Sequence, residues 1–318
     1  MTAKRVIIGI VLIVLGICLL IGILGMNGWE LSILNTKQFE TNTYEFREEI
    51  QDIYISTDTA DLTFLPSEDG RCKVVCHEDP KAKHLATLKD GTLSVEITNA
   101  RKWYDYISLF HFNTPSITVY LPTGTYGHLT IKQSTGHTQL PKDFNFGSIF
   151  IQASTGSVDC RSSVSGLLKI ETSTGNIHLE ALSANAVDVL VTTGKVTLSS
   201  LTCEGDITVL VDTGDATLSD IRCLDLCAKG DTGDLFLKNV IATGIFNLER
   251  DTGDIRFDGC DASKLSVKTD TGDVTGSLLS EKIFLVQTDT GRIQVPASTT
   301  GGKCEIRTDT GDIRISIQ

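Results

Sequence analysis

From residue 126 to the end of the chain, apolar and polar residues alternate in short runs that Thr-Gly interrupts at a fixed interval. In Ile306-Arg307-Thr308-Asp309-Thr310-Gly311-Asp312-Ile313-Arg314-Ile315, the residues Ile306, Thr308 and Thr310 alternate with polar neighbours, as in a half-buried strand. After the glycine the alternation resumes at Ile313 and Ile315, shifted by one residue. A residue free to adopt positive φ makes that shift, and glycine does so without steric cost. Each unit therefore predicts strand, tight bend, strand.

The bend glycines are Gly136, Gly156, Gly175, Gly194, Gly214, Gly233, Gly253, Gly272, Gly291 and Gly311, and successive ones are 19 or 20 residues apart. Five residues before them stand Ile131, Ile151, Ile170, Val189, Val209, Ala228, Leu248, Val267, Val286 and Ile306. Four residues after them stand Leu140, Cys160, Leu179, Leu198, Leu218, Leu237, Phe257, Gly276, Val295 and Ile315. A lone unit cannot bury two such faces, whereas units stacked on one another can. A period of this size predicts an all-β fold, a β-solenoid of 19–20-residue coils. Each coil adds about 4.8 Å, the inter-strand spacing.

The rest of the chain is less regular. Val6 to Leu24 is an uninterrupted run of apolar residues and glycine, preceded by Lys4 and Arg5 and followed by Trp29. It is long enough to cross a bilayer. The positive flank keeps residues 1–5 cytoplasmic and places the solenoid outside the cell. A cleaved secretory signal is the alternative, but no Ala-x-Ala-like site follows and the run exceeds a signal's usual apolar length. The reading is a single retained span over residues 6–25 and a spacer over 26–49. Irregular β coils and a cap then occupy 50–125, and the regular array occupies 126–318. Ile55-Ser56-Thr57-Asp58-Thr59-Ala60-Asp61-Leu62 repeats the unit with Ala60 in place of glycine, so the stack starts near residue 50. Asp90-Gly91 signals a turn between strand-like segments. Trp103, Tyr104, Tyr106, Phe110 and Phe112 read as packing that covers the first coil. No corresponding cap follows Gly311, which predicts an open last coil whose edge is available for self-association.

A net charge of −12 excludes a phosphate-neutralising surface for nucleic acid and disfavours docking on anionic lipid. Of nine cysteines, Cys18 falls in the span; the others are scattered as small apolar residues are in coil interiors, and are expected as free, buried thiols.

Two acidic columns flank the bends. Asp212, Asp231, Asp251, Asp270, Asp289 and Asp309 lie two residues before the glycine, and Asp215, Asp234, Asp254, Asp273 and Asp312 follow it. Asp-Thr-Gly is also the signature of aspartic proteases, but those need two aspartates facing across one cleft, and these form a column. A calcium site is the second possibility, with Asp212, Asp215, Asp231, Asp234, Asp251, Asp254, Asp270 and Asp273 as the candidates. Neighbouring carboxylates at coil spacing repel by ~1 kcal/mol. A hydrogen bond from each bend's own backbone N–H is worth ~1.5–3 kcal/mol and outweighs that. The early coils carry Ser134, Ser154, Ser173 and Thr192 at the first position, which cap turns but bind calcium poorly. The columns are therefore read as structural, with no metal and no cofactor. His77, His84, His111, His128, His137 and His178 show no ligand spacing, and no motif supports a reaction.

The N-terminal apolar segment, the lead-in ending in Val119-Tyr120-Leu121-Pro122 and the serial Thr-Gly-Asp-Ile units resemble the bacterial putative-adhesin family with β-strand repeats, a domain of unknown function. The resemblance covers roughly residues 50–318. It implies a β-solenoid at the cell envelope and offers no catalytic residues to carry over. The function expected is a non-enzymatic, membrane-anchored surface module that contacts a protein, peptide or glycan. The alternative is an accessory or sensor of the envelope stress response that binds cationic peptides at the acidic columns.

Overall fold

The computed structural model describes residues 39–99 and 114–318. The expected span at 6–25 and the aromatic cluster from Trp103 to Phe112 lie outside the described residues. Among the described residues all regular structure is strand, in one 26-stranded sheet, and no helix is long and apolar enough to cross a membrane.

The repeat is a β-solenoid. The arms before the glycines pair in parallel, in register: Ile131 with Ile151, then Ile170, Val189, Val209, Ala228, Leu248 and Val267. The arms after them do likewise, from Leu140 through Cys160, Leu179, Leu198, Leu218 and Leu237 to Phe257. Both columns are buried. Full burial of an aliphatic side chain contributes roughly 1.5–3 kcal/mol, so every coil adds to one continuous core.

Each bend is held by its neighbour. The N–H of Gly175 donates to Thr193 O, and that of Gly194 to Thr213 O. Gly194 has φ +152°, and a Cβ there would overlap the carbonyl oxygen of Gly175. The glycine thus permits both the backbone conformation and the close approach of consecutive corners. Ala60 heads this column; its N–H donates to Thr135 O, and no earlier Thr-Gly corner precedes it in the chain. Its coil stacks on the next through Ile55–Ile131 and Leu62–Thr138.

A second corner follows the first by six residues. Ala181, Ser200, Asp220 and Asn239 adopt φ between 51° and 56°, and Gly259 has φ 63°. The chain then turns Leu182, Leu201, Ile221, Val240 and Cys260 back into the core.

The stacking order departs from chain order at one place. Val267 pairs with Ile306, and Ile306 in turn with Val286. The last coil is therefore threaded between the Gly272 and Gly291 coils: Ile313–Ile317 pairs with Val274–Leu278, and Ile313 and Arg314 pair on the other side with Ile293 and Gln294. This corrects the expectation of an open final coil. The exposed edge belongs to Lys282–Thr290, where Ile283 and Leu285 face solvent and Phe284 and Val286 are only partly buried.

At the other end the sheet continues as antiparallel strands. Cys72–Glu78 pairs with both Glu40–Phe46 and Ser116–Leu121. The hairpin Ala82–Lys89 and Thr92–Asn99 closes through Asp90 and Gly91, both at positive φ, and its second strand lies parallel to Asp52–Thr59. Alternation within Cys72–Glu78 turns Cys72, Val74, Cys76 and Glu78 inward.

One interior residue breaks the apolar pattern. Arg250 is fully buried beside Gly230, whose missing side chain makes room for the guanidinium. Its Nη1 donates to Val211 O at 3.1 Å, while Nε and Nη2 have no protein partner. Burial pulls its pKa down, against the opposing fields of Asp215, Asp234 and Asp231.

Candidate functional site

Three features could carry chemistry or recognition: the acidic corner, a buried polar cluster in the N-terminal cap, and a groove across the pre-glycine arms.

At the acidic corner the two columns differ in their bonding. In the column after the glycine, each carboxylate accepts the backbone N–H of the equivalent residue in the next coil. Asp234 N donates to Asp215 Oδ1 at 3.0 Å, Asp254 N to Asp234 at 2.9 Å and Asp273 N to Asp254 at 2.8 Å. Asp312 N donates to Asp273, and Arg292 N to Asp312, each at 2.8 Å. Asp61 and Asn176 do the same for His137 and Lys195. The expected hydrogen bond within each bend is thus a bond between coils, which needs a short acceptor rather than a charge. Arg256 and Arg314 further neutralise this column through Asp254 and Asp312, at 2.6 and 2.7 Å.

The column before the glycine points outward, with Asp231, Asp251 and Asp289 exposed. Asp270 pairs with Lys268 at 3.0 Å and Asp309 with Arg307 at 3.5 Å. Consecutive corners lie in parallel register, Thr213 beside Thr232 and Thr232 beside Thr252, so their aspartates follow one another along one edge.

The cap places Cys76, Glu78 and His84 together, with one donor atom of each within 4.8 Å of the others. This is the one such trio among the described residues, and the eight calcium candidates form none. All three side chains are buried. His84 Nδ1 meets Glu78 Oε2 at 2.7 Å, and its Nε2 meets Thr57 Oγ1 at 2.9 Å. Asn42 donates to Glu78 Oε1 at 2.7 Å, and the His84 backbone N–H donates to Oε2 at the same distance. Burial pushes the Glu78 pKa up, but hydrogen bonds from His84 and Asn42 outweigh it and the carboxyl sits below its ordinary value. Burial, with Glu78 nearby, pushes the Cys76 thiol up to about 12. Sequence spacing does not reveal this trio. Cys76 and Glu78 share a strand face by alternation, but His84 joins them only through the return of the hairpin.

The eight described cysteines are free, and all but Cys227 are buried, in line with the expectation of apolar packing. Cys227 lines the groove, which crosses four coils and is edged by Asp206, Thr208, Asp225, Asn247 and Ser266. Ile245 beside it is exposed.

Parallel coils cornered on Thr-Gly, with a continuous apolar interior, define a β-solenoid. The chain belongs to the Toastrack family, DUF4097, whose model matches residues 50–210 and 204–318; it is a domain family of unknown function. Among solved structures, a "putative adhesin" of Bacteroides fragilis is similar at 15% identity, covering 88% of this chain and 98% of its own, with a TM-score of 0.42. A "putative lipid binding protein" of Parabacteroides distasonis has 13% identity, the same coverages and a TM-score of 0.46. A "putative cell adhesion protein" of Clostridium sporogenes has 10% identity, 88% and 100% coverage and a TM-score of 0.25. These likenesses are too distant to transfer a function. No curated protein matches the chain.

Proposed function

We propose that this protein is a non-enzymatic cell-surface module, anchored by residues 6–25, whose solenoid presents an extended face to a protein or glycan outside the cell. The observation that carries this reading is the groove across the pre-glycine arms. It combines carboxylate, hydroxyl and amide groups with the exposed Ile245 on a rigid parallel sheet. Stacked coils supply long surfaces of this kind, and polar groups beside an apolar patch suit both sugar rings and peptide segments. The resemblance drawn from the sequence, which implies the cell envelope, supports the same location. The acidic corner is less suited to a cationic peptide, because its inner column is bonded to neighbouring coils and arginines.

The test has two arms. Protease added to intact cells should remove a C-terminal epitope tag from the full-length protein; protection in intact cells with cleavage only after lysis would reverse the topology. Cross-linking on intact cells should capture a partner that Thr208→Ala with Asn247→Ala releases. Capture unaffected by that double variant would move the binding surface elsewhere.

A further inference from the structure

We infer that Cys76, Glu78 and His84 form a zinc site in the N-terminal cap. The donors are one thiol sulfur, one carboxylate oxygen and one imidazole nitrogen, all buried, with atoms within 4.8 Å of one another. Zinc takes this mixture of ligands, with metal–ligand distances of about 2.0–2.3 Å. The soft sulfur argues against calcium and magnesium, which prefer all-oxygen shells.

The surroundings match what a bound metal requires of its second layer. A ligating histidine usually donates its other ring N–H to a fixed acceptor, and a ligating carboxylate is itself hydrogen-bonded. His84 Nδ1 faces Glu78 Oε2, which leaves Nε2 against Thr57 Oγ1 at 2.9 Å. Glu78 Oε2 faces the histidine, which leaves Oε1 held by Asn42 Nδ2 at 2.7 Å. Tyr44 fixes the strand that carries the histidine, donating from its hydroxyl to His84 O at 2.7 Å. Nδ1 and Oε2 therefore meet at 2.7 Å, a ligand atom of Cys76 completes the group within 4.8 Å, and the opposite atom of each of the two polar ligands is already oriented.

On binding, Nδ1 and Oε2 would part from their 2.7 Å contact to admit zinc, and the hydrogen between them would be displaced. The imidazole proton moves to Nε2 and is donated to Thr57. The Cys76 thiol releases its proton to solvent as the Zn–S bond forms. No oxidation state changes. The metal would join Cys72–Glu78 to the Ala82–Lys89 hairpin and clamp the end of the stack where the irregular strands meet the first coil.

The experiment uses the full-length chain in detergent, stripped of metal and titrated with Co2+ as a spectroscopic stand-in, then with Zn2+. The expected result is one equivalent bound, a thiolate-to-cobalt charge-transfer band, its loss when zinc is added, and a rise in Tm that EDTA reverses. Cys76→Ser should abolish the charge-transfer band. Cys72→Ser, an equally buried cysteine in the same strand, should keep it, which separates loss of a ligand from loss of the fold. His84→Gln should weaken zinc binding at least tenfold while the Tm of the metal-free protein changes less than that of the zinc form. Absence of a charge-transfer band in the folded wild-type protein would overturn the site, as would a band that survives Cys76→Ser.

Discussion

The backbone N–H of Asp312 donates to the carboxylate of Asp273 at 2.8 Å, thirty-nine residues earlier in the chain. The coil between them in sequence, cornered at Gly291, lies on the far side, where Arg292 N donates back to Asp312. One hydrogen-bond ladder thus runs along the inner acidic column and registers the coils even where the chain does not follow their order. Arg292, which takes the place of an aspartate in the outermost coil, supplies no carboxylate for a further rung.

The ladder separates the two acidic columns by stability. Asp254→Ala leaves the Asp273 N–H without its acceptor, at a cost of about 1–3 kcal/mol. Asp254→Asn retains an acceptor and should lose less. The exposed Asp251→Ala should stay within about 0.5 kcal/mol of the parent. Urea unfolding of the three variants checks the order, and equal losses at 251 and 254 would remove the ladder from the account.

A pH effect follows at the outer rung. The Arg292 N–H and guanidinium hold the Asp312 carboxyl below its ordinary value of 3.8. Because the folded value is the lower one, the unfolded state binds the proton first. The stabilisation is complete above 3.8 and is lost as pH falls through the folded value. Thermal melts from neutral pH downward should show this acid-side loss, and Asp312→Asn should flatten part of it.

At the first corner, Gly194→Ala combines positive φ with overlap against the Gly175 carbonyl. Nothing in the backbone stack can yield without disturbing both neighbours, so the expected loss is at least ~4 kcal/mol, at the severe end for a single substitution. Circular dichroism should show a large drop in Tm or failure to fold. A mild effect would mean that consecutive corners are not in close contact.

The second corner predicts the opposite sign. Ala181 adopts φ 53°, a left-handed conformation that costs an L-residue roughly 1–2 kcal/mol. Glycine relieves that strain but has a more flexible unfolded chain, by about 0.5–1 kcal/mol. Ala181→Gly should therefore raise stability by up to about 1.5 kcal/mol. Asn239→Gly should gain less, because asparagine tolerates this region and Asn239 also donates to Asp220 at 2.8 Å. Paired denaturation curves decide it.

Arg250 offers a test inside the core. Replacing a buried charge by an apolar residue of similar length is often neutral or stabilising by about 1–4 kcal/mol. Arg250→Met removes two unpartnered nitrogens and still fills the space beside Gly230. Its Tm should equal or exceed that of the parent; a lower value would show that the guanidinium has partners beyond Val211.

Alternation around each Thr-Gly was enough to read the strands, the bends and the two inward columns, because a period of two and a glycine with positive φ are local requirements. The coil at Ala60 was legible for the same reason, and so was the packing role of most cysteines. The sequence alone did not reveal that Asp273 bonds Asp312 rather than a residue of its own bend. Nor did it show that Ala181 and Asn239 form a second line of corners, or that the final coil is inserted behind its predecessor. Every coil carries the same register signal, so local pattern cannot tell which neighbour it will choose. Only the filled core decides, by leaving the Lys282–Thr290 strand outside. The gathering of Cys76, Glu78 and His84 has the same origin: alternation set which way each side chain faces, and the closing of the hairpin over the first coil brought them within reach.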